Sequence, residues 1–134
     1  MDSNETVHEL RVRFAETDQM GVAHHSAWIV WLEEARVEWL RERGLSYREL
    51  EDSGTSLAVS EVQVRYRSAA RFDDLIQIRA RLEESRSRSF RFSYTVIRTS
   101  DGTLLADAVT RHTPVDRDGR AVRMRQDWLE RISG

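Results

Sequence analysis

Residues 13–36 read R-F-A-E-T-D-Q-M-G-V-A-H-H-S-A-W-I-V-W-L-E-E-A-R, and two periodicities meet in them. Just upstream and into this run, Leu10, Val12 and Phe14 alternate with Glu9, Arg11 and Arg13. A period of two predicts a strand over residues 9–15 with one buried face. From Ala27 to Arg43 the period changes: Trp28, Trp31/Leu32, Ala35 and Trp39 fall at helical spacing, with Glu33, Arg36, Glu38, Arg41 and Glu42 opposite. No Gly or Pro interrupts this segment, and Gly44 stands where a helix ends. Its first two turns, Ala27 to Leu32, are apolar all round, which predicts a helix buried on most sides.

Working outward, period two returns in Val62, Val64 and Tyr66, in Ile76 to Leu82, and in Phe90 to Val96. A less regular run from Leu104 to Val115 contains Pro114, the only proline. Asp101-Gly102 joins the last two runs and signals a tight antiparallel turn. Ser46 followed by Glu49 resembles a capping box for a short helix over Tyr47–Asp52, and Gln126–Ile132 reads as a frayed C-terminal helix. The order β-α-β-β-β-β, with no linker or repeat, predicts one α+β domain over residues 1–134: a five-stranded antiparallel sheet wrapped around a long central helix. The edges of such a sheet invite pairing with a second copy, so a homo-oligomer is expected.

Composition narrows the chemistry. The 134 residues are 40% hydrophobic and 33% charged, a globular balance that can bury roughly two-thirds of the unfolded surface. The net charge of -2 disfavours nucleic acid as a partner. Cys is absent, which removes disulfides, thiolate metal sites and a cysteine nucleophile. Lys is absent too, so there is no Schiff base and no P-loop lysine; every basic side chain among the 21 is Arg. The first ten residues carry neither a basic nor an apolar signal region, and no apolar run approaches the ~20 residues of a membrane span. A soluble cytoplasmic protein is expected.

The segment between strand and helix gathers Asp18, Gly21, His24 and His25 just before a helix start. Helix N-termini present unpaired N–H groups and partial positive charge, suited to an anion or a developing oxyanion. The same residues have a plainer reading, with Asp18 as a turn residue and His25 or Ser26 as an N-cap. A metal at His24-His25 and Asp18 is disfavoured, because adjacent side chains point apart and no further ligand cluster appears.

The same run resembles the opening of the hot-dog-fold acyl-CoA thioesterases, specifically the 4-hydroxybenzoyl-CoA thioesterase-like group that includes the Tol-Pal-associated branch. Thr17-Asp18, Gly21, His25, Trp28 and Glu34-Ala35-Arg36 carry the likeness, which continues through Gly44 to Tyr47, Val64 to Tyr66, Ala70 to Asp74 and the turn from Asp116 to Gly119. It implies a hydrolase acting on acyl-CoA, with Asp18 as the catalytic carboxylate and His25 beside the reacting centre. Backbone amides from Gly21 and Val22 to His25 would polarise the carbonyl, and His24 and Trp28 would shape the pocket. It also implies a tunnel between protomers of a homodimer or homotetramer, and no cofactor beyond coenzyme A as part of the substrate. For the coenzyme A phosphates, Arg88 and Ser89 are favoured over Arg65 and Arg71. Phe14 departs from the pattern, because many relatives in the Tol-Pal-associated branch carry Tyr there. Two rival readings are a hot-dog hydratase or dehydratase using His25 with Glu33 or Glu34, and a non-catalytic acyl-CoA-binding subunit.

Overall fold

The structure, a computed structural model, describes residues 4–134; Met1 to Ser3, the start of the segment read for a secretory signal, lie outside it. Strand β1 is Glu5–Arg11, followed by a 3-10 turn at Phe14–Glu16, helix α1 at His25–Glu42 and helix α2 at Tyr47–Asp52. Strands β2 (Ser56–Tyr66), β3 (Leu75–Arg86), β4 (Ser89–Arg98) and β5 (Leu104–Val115) follow, then helix α3 at Gln126–Ser133. The five strands form one sheet in the order β1-β3-β4-β5-β2, with every pair antiparallel. The expected α+β plan is therefore present.

Helix α1 lies on the inner face of this sheet because its apolar stripe and the inward strand positions match. Ala27, Trp28, Trp31, Leu32, Ala35, Trp39 and Leu40 are buried along the helix. They meet Ile76, Ile78, Phe90, Phe92 and Val96 from the alternating strand positions. Trp39 packs edge-on against Phe92 with ring centroids 5.3 Å apart. The helix stops where Gly44 takes φ +72, letting the Leu45 N–H reach the Leu40 carbonyl at 2.9 Å. Ser46 then caps α2 by accepting the Glu49 N–H. Helix α3 docks rather than fraying, with Trp128 and Ile132 buried.

Three further expectations are corrected. Phe14 does not continue β1: after Arg11 the chain leaves the sheet, and the Phe14 ring is 76% exposed in the 3-10 turn. The start of α1 is not sealed all round, since Ile29 and Val30 face outward. Strand β2 begins at Ser56, five residues before the alternation becomes legible. A bulge between Val59 and Glu61 explains this, because one extra residue breaks the period of two.

A chain of polar side chains runs beneath the helix. Arg36 donates to the Tyr94 hydroxyl at 3.3 Å, Tyr94 pairs with Thr110 at 2.6 Å, and Thr110 Oγ1 meets His112 Nε2 at 2.8 Å. His112 is 1% exposed, and its Nδ1 has no partner among the described residues. Burial, helped by the Arg36 charge, pushes its pKa down to about 3, so the ring is held neutral.

Candidate active site

The loop from Val12 to His24 is organised by its own backbone. Val12 pairs with the β2–β3 loop (N–H to the Asp74 carbonyl, 2.9 Å), and Thr17 and Ala23 form an isolated bridge. Between them, the Asp18 N–H bonds the Val22 carbonyl and the Gly21 N–H bonds the Asp18 carbonyl. Gly21 takes φ +76, a conformation other residues adopt only with strain. Asp18 Oδ1 accepts the N–H groups of Met20 at 2.8 Å and Val22 at 3.3 Å. The turn-residue reading of Asp18 is thus real for one oxygen. Oδ2 accepts no hydrogen bond among the described residues, and the side chain is half-buried.

The amides expected to polarise a carbonyl need correction. Gly21 and Val22 donate to Asp18, Ala23 to the Ala70 carbonyl and His24 to the Glu16 carbonyl. These four are committed to holding the loop closed. At the start of α1, His24 is the N-cap without a side-chain cap bond, and the N–H groups of His25 and Ser26 have no partner among the described residues. Of the expected amides only that of His25 stays free, and Ser26, one residue beyond them, joins it where the partial positive charge is centred.

A cavity of about 310 Å³ opens beside them, lined by Val22, His25, Trp28, Tyr66, Arg67 and Ala70 among others. His25 stacks on Tyr66 at 4.7 Å, and Trp28 meets the same ring edge-on at 5.4 Å. Asp18, Gly21 and His24 are not part of this lining; Asp18 is joined to it through its bond to the Val22 N–H. Tyr66 and Arg67 were not singled out as site residues, although Val64-Arg65-Tyr66 carried part of the resemblance. The missing signal was that β2 returns alongside the start of α1. Arg67 is held by Asp107 at 2.9 Å, whereas Arg71, beside Val22, is exposed.

Arg88 and Ser89 stand elsewhere. The Asp18 loop leaves the sheet beside Leu75, the first residue of β3, while Arg88 and Ser89 follow its last, Arg86. The length of that strand, about 35 Å, separates them within one chain. The pairing of His25 with Glu33 or Glu34 does not form either. Glu33 lies two turns along α1, about 12 Å away, and Glu34 sits 3.3 Å from His8. No group of three or more His, Asp or Glu side chains gathers as a metal site among the described residues, and no helix there is long and apolar enough to cross a membrane.

Comparison with known proteins agrees with this architecture. Residues 12–132 match the thioesterase-like superfamily. The chain is 30% identical over 99 residues to the acyl-CoA thioester hydrolase YbgC of Escherichia coli O6:H1, covering 74% of this chain and 73% of that one. A hypothetical protein from Thermus thermophilus, TT1821, superposes with a TM-score of 0.89 at 43% identity, over 96% of this chain and 95% of that one. A DHNA-CoA thioesterase from Staphylococcus aureus superposes at 0.91 with 25% identity, over 96% and 89%. With a match spanning nearly its whole length and a sheet wrapped on one long helix, the chain belongs to the hot-dog thioesterase-like superfamily.

Proposed function

We propose that this protein hydrolyses acyl-CoA thioesters to free acid and coenzyme A, with Asp18 as the reacting carboxylate. The observation that carries the reading is the Asp18 side chain itself. Two backbone donors hold one of its oxygens, the other accepts no bond among the described residues, and Val22 ties it to a cavity at a helix start without a side-chain cap. The two amide bonds fix the direction of the carboxylate, and a base or nucleophile needs an oxygen held in place and left open to the reacting atoms. A thioester carbonyl in the cavity would meet the free N–H groups of His25 and Ser26, which stabilise charge developing on its oxygen. Asp18 then takes a proton from an attacking water as the C–S bond breaks and coenzyme A leaves. Alternatively it attacks the carbonyl itself, expelling the thiolate and leaving a mixed anhydride that water cleaves to the acid and free Asp18. His25, steadied by its stack on Tyr66, borders the reacting centre. Phe14 has no hydroxyl and its ring packs on Phe72, so no proton passes through it.

The same proposal includes a homo-oligomer working in the cytoplasm without a separate cofactor. Strand β2 forms an open sheet edge of 11 residues, and Val59, Val62 and Tyr66 are exposed along it, Tyr66 at the cavity itself. A second copy paired there would cover apolar surface and complete the cavity wall. It is also the route by which an Arg88-Ser89 turn from another protomer could approach coenzyme A.

Thiol release measured across aromatic and aliphatic acyl-CoA substrates tests the reading. Stoichiometric free thiol and acid are expected. Conversion of an enoyl-CoA without thiol release would replace it with a hydratase, and coenzyme A binding without turnover would make the protein a binding subunit. Single-turnover labelling with heavy-oxygen water separates the two Asp18 routes, since only direct attack first places an Asp18 oxygen in the acid.

A further inference from the structure

Two residues before Asp18, Glu16 sits in a loop whose other large side chains face water, with Phe14 76% and Met20 81% exposed. Its own carboxylate does the opposite, being only 10% exposed. Oε1 accepts the Arg13 N–H at 2.8 Å, and Oε2 accepts the indole N–H of Trp31 at 2.7 Å. Trp31 lies in the core at 1% exposure, so this bond reaches from the surface loop to the underside of α1. The Glu16 carbonyl also takes the N–H of His24, the residue that caps the helix. Partial burial acts to raise the Glu16 pKa, but the Arg13 N–H, the Trp31 indole and the Arg13 guanidinium outweigh it and hold the carboxyl below its usual range.

Each oxygen is engaged by a fixed donor and the carboxylate is almost wholly covered, so Glu16 is not presented to a substrate. What it controls is where residues 17–23 stand. Val12 and Ala23, the buried residues flanking this loop, lie at its two ends, and Glu16 supplies the inward anchor between them. We infer that Glu16 is the positioning residue of the site: clamped between the Arg13 N–H and the Trp31 indole, it fixes the loop that presents Asp18 at the start of α1. This rests on the reading of Asp18 as the reacting carboxylate. A displacement of about 1 Å at a reacting group costs on the order of a hundredfold in rate, so a clamp of this kind acts on turnover.

The chemistry of the clamp supplies its own probe. Two donors point at Glu16, and glutamine offers one acceptor and one amide N–H, so Glu16→Gln keeps the shape and turns one contact donor-to-donor. Trp31→Phe removes the indole donor and keeps a buried ring. Both variants, the double variant and Glu16→Asp are compared with wild type in kcat, KM, melting temperature and hydrogen exchange over residues 14–24. Each single variant is expected to lose roughly ten- to a hundredfold in kcat with KM within about threefold, and to exchange faster in the loop. The double variant should lose no more than the worse single one, because both act through one contact. Glu16→Asp, which keeps both acceptors on a shorter stem, should recover part of kcat.

Wild-type kcat in Glu16→Gln with a lowered melting temperature would overturn the inference, leaving a structural tie only. Fully additive losses in the double variant, or unchanged loop exchange, would overturn it as well. Asp18→Asn measured in parallel keeps the two ideas apart. If that variant is fully active, the catalytic reading falls regardless of Glu16. If it is inactive while Glu16→Gln turns over normally, only the clamp falls.

Discussion

Along its flank over β3 and β4, α1 is sealed: Trp31, Leu32, Ala35 and Trp39 are at most 1% exposed, and Trp39 meets Phe92 in the core. Along β2 the same helix is open. His25 stacks on a Tyr66 that is 44% exposed, Val59 and Val62 face outward, and the cavity lies between the two elements. One side follows the rule that core groups touch protein on every side; the other leaves apolar area in water beside unpaired amides. An exposed apolar strip flanked by free hydrogen-bond donors marks a place built to receive something. The contrast ties stability to the sealed flank and places the proposed chemistry and assembly on the open one.

Breaking the sealed flank should cost most. Trp39→Ala removes a fully buried indole and should destabilise by about 3–5 kcal/mol in urea unfolding. A loss under 1 kcal/mol would show that this flank is not the core the contacts describe.

Acid should probe the same flank through His112. Its folded-state pKa is depressed to about 3, below the usual 6.5, so the unfolded chain takes up a proton that the folded chain refuses. Stability from this group is therefore complete above pH 6.5 and is lost as pH falls toward 3. Between pH 6.5 and 4.5, before most carboxylates titrate, the loss should be about 2 kcal/mol, somewhat under 1.36 kcal/mol per unit because the unfolded ring is only half-protonated at the start of the window. Urea unfolding at several pH values reads it directly, and a flat profile over that window would remove the buried neutral ring from the account.

Gly21→Ala adds a Cβ at φ +76 where no atom obstructs it, so backbone strain alone is at work. About 1–2 kcal/mol of stability should be lost, with activity falling alongside because the turn holds Asp18. Calorimetry and thiol release on the same preparation check both. Tyr66→Ala sharpens the comparison from the open side. It should cost less than about 1 kcal/mol of stability, since the ring is half in water, yet reduce kcat/KM by about tenfold through loss of the His25 stack.

The strands and α1 were legible because one face of each is apolar and the other charged, as in β3, where Ile76, Ile78, Ala80 and Leu82 alternate with Gln77, Arg79 and Arg81. Legibility failed where that rule lapses. At Phe14 the alternation ran on past the point where the backbone leaves the sheet. At Val59–Glu61 a bulge hid the first half of β2, and at Ile29 and Val30 apolar residues face solvent in a single chain. Within the site, Asp18, Gly21, His25 and Trp28 are neighbours in sequence and could be read together. Tyr66 and Arg67 reach the cavity through tertiary structure, and which amides remain free depends on hydrogen bonds invisible in the sequence. Nothing in the sequence distinguishes Glu16 from other acidic residues, because its bond to a core tryptophan exists only in the folded chain.

The most direct test of the open-flank assignment is Asp18→Asn, because asparagine keeps an Oδ1 acceptor for the Met20 and Val22 amides and replaces the charged Oδ2 with an amide nitrogen that is neither base nor nucleophile. Thiol release and melting temperature measured on one sample should show kcat reduced by about a hundred- to ten-thousandfold with the melting temperature within a few degrees of wild type. Turnover within twofold of wild type in that folded variant would contradict the account.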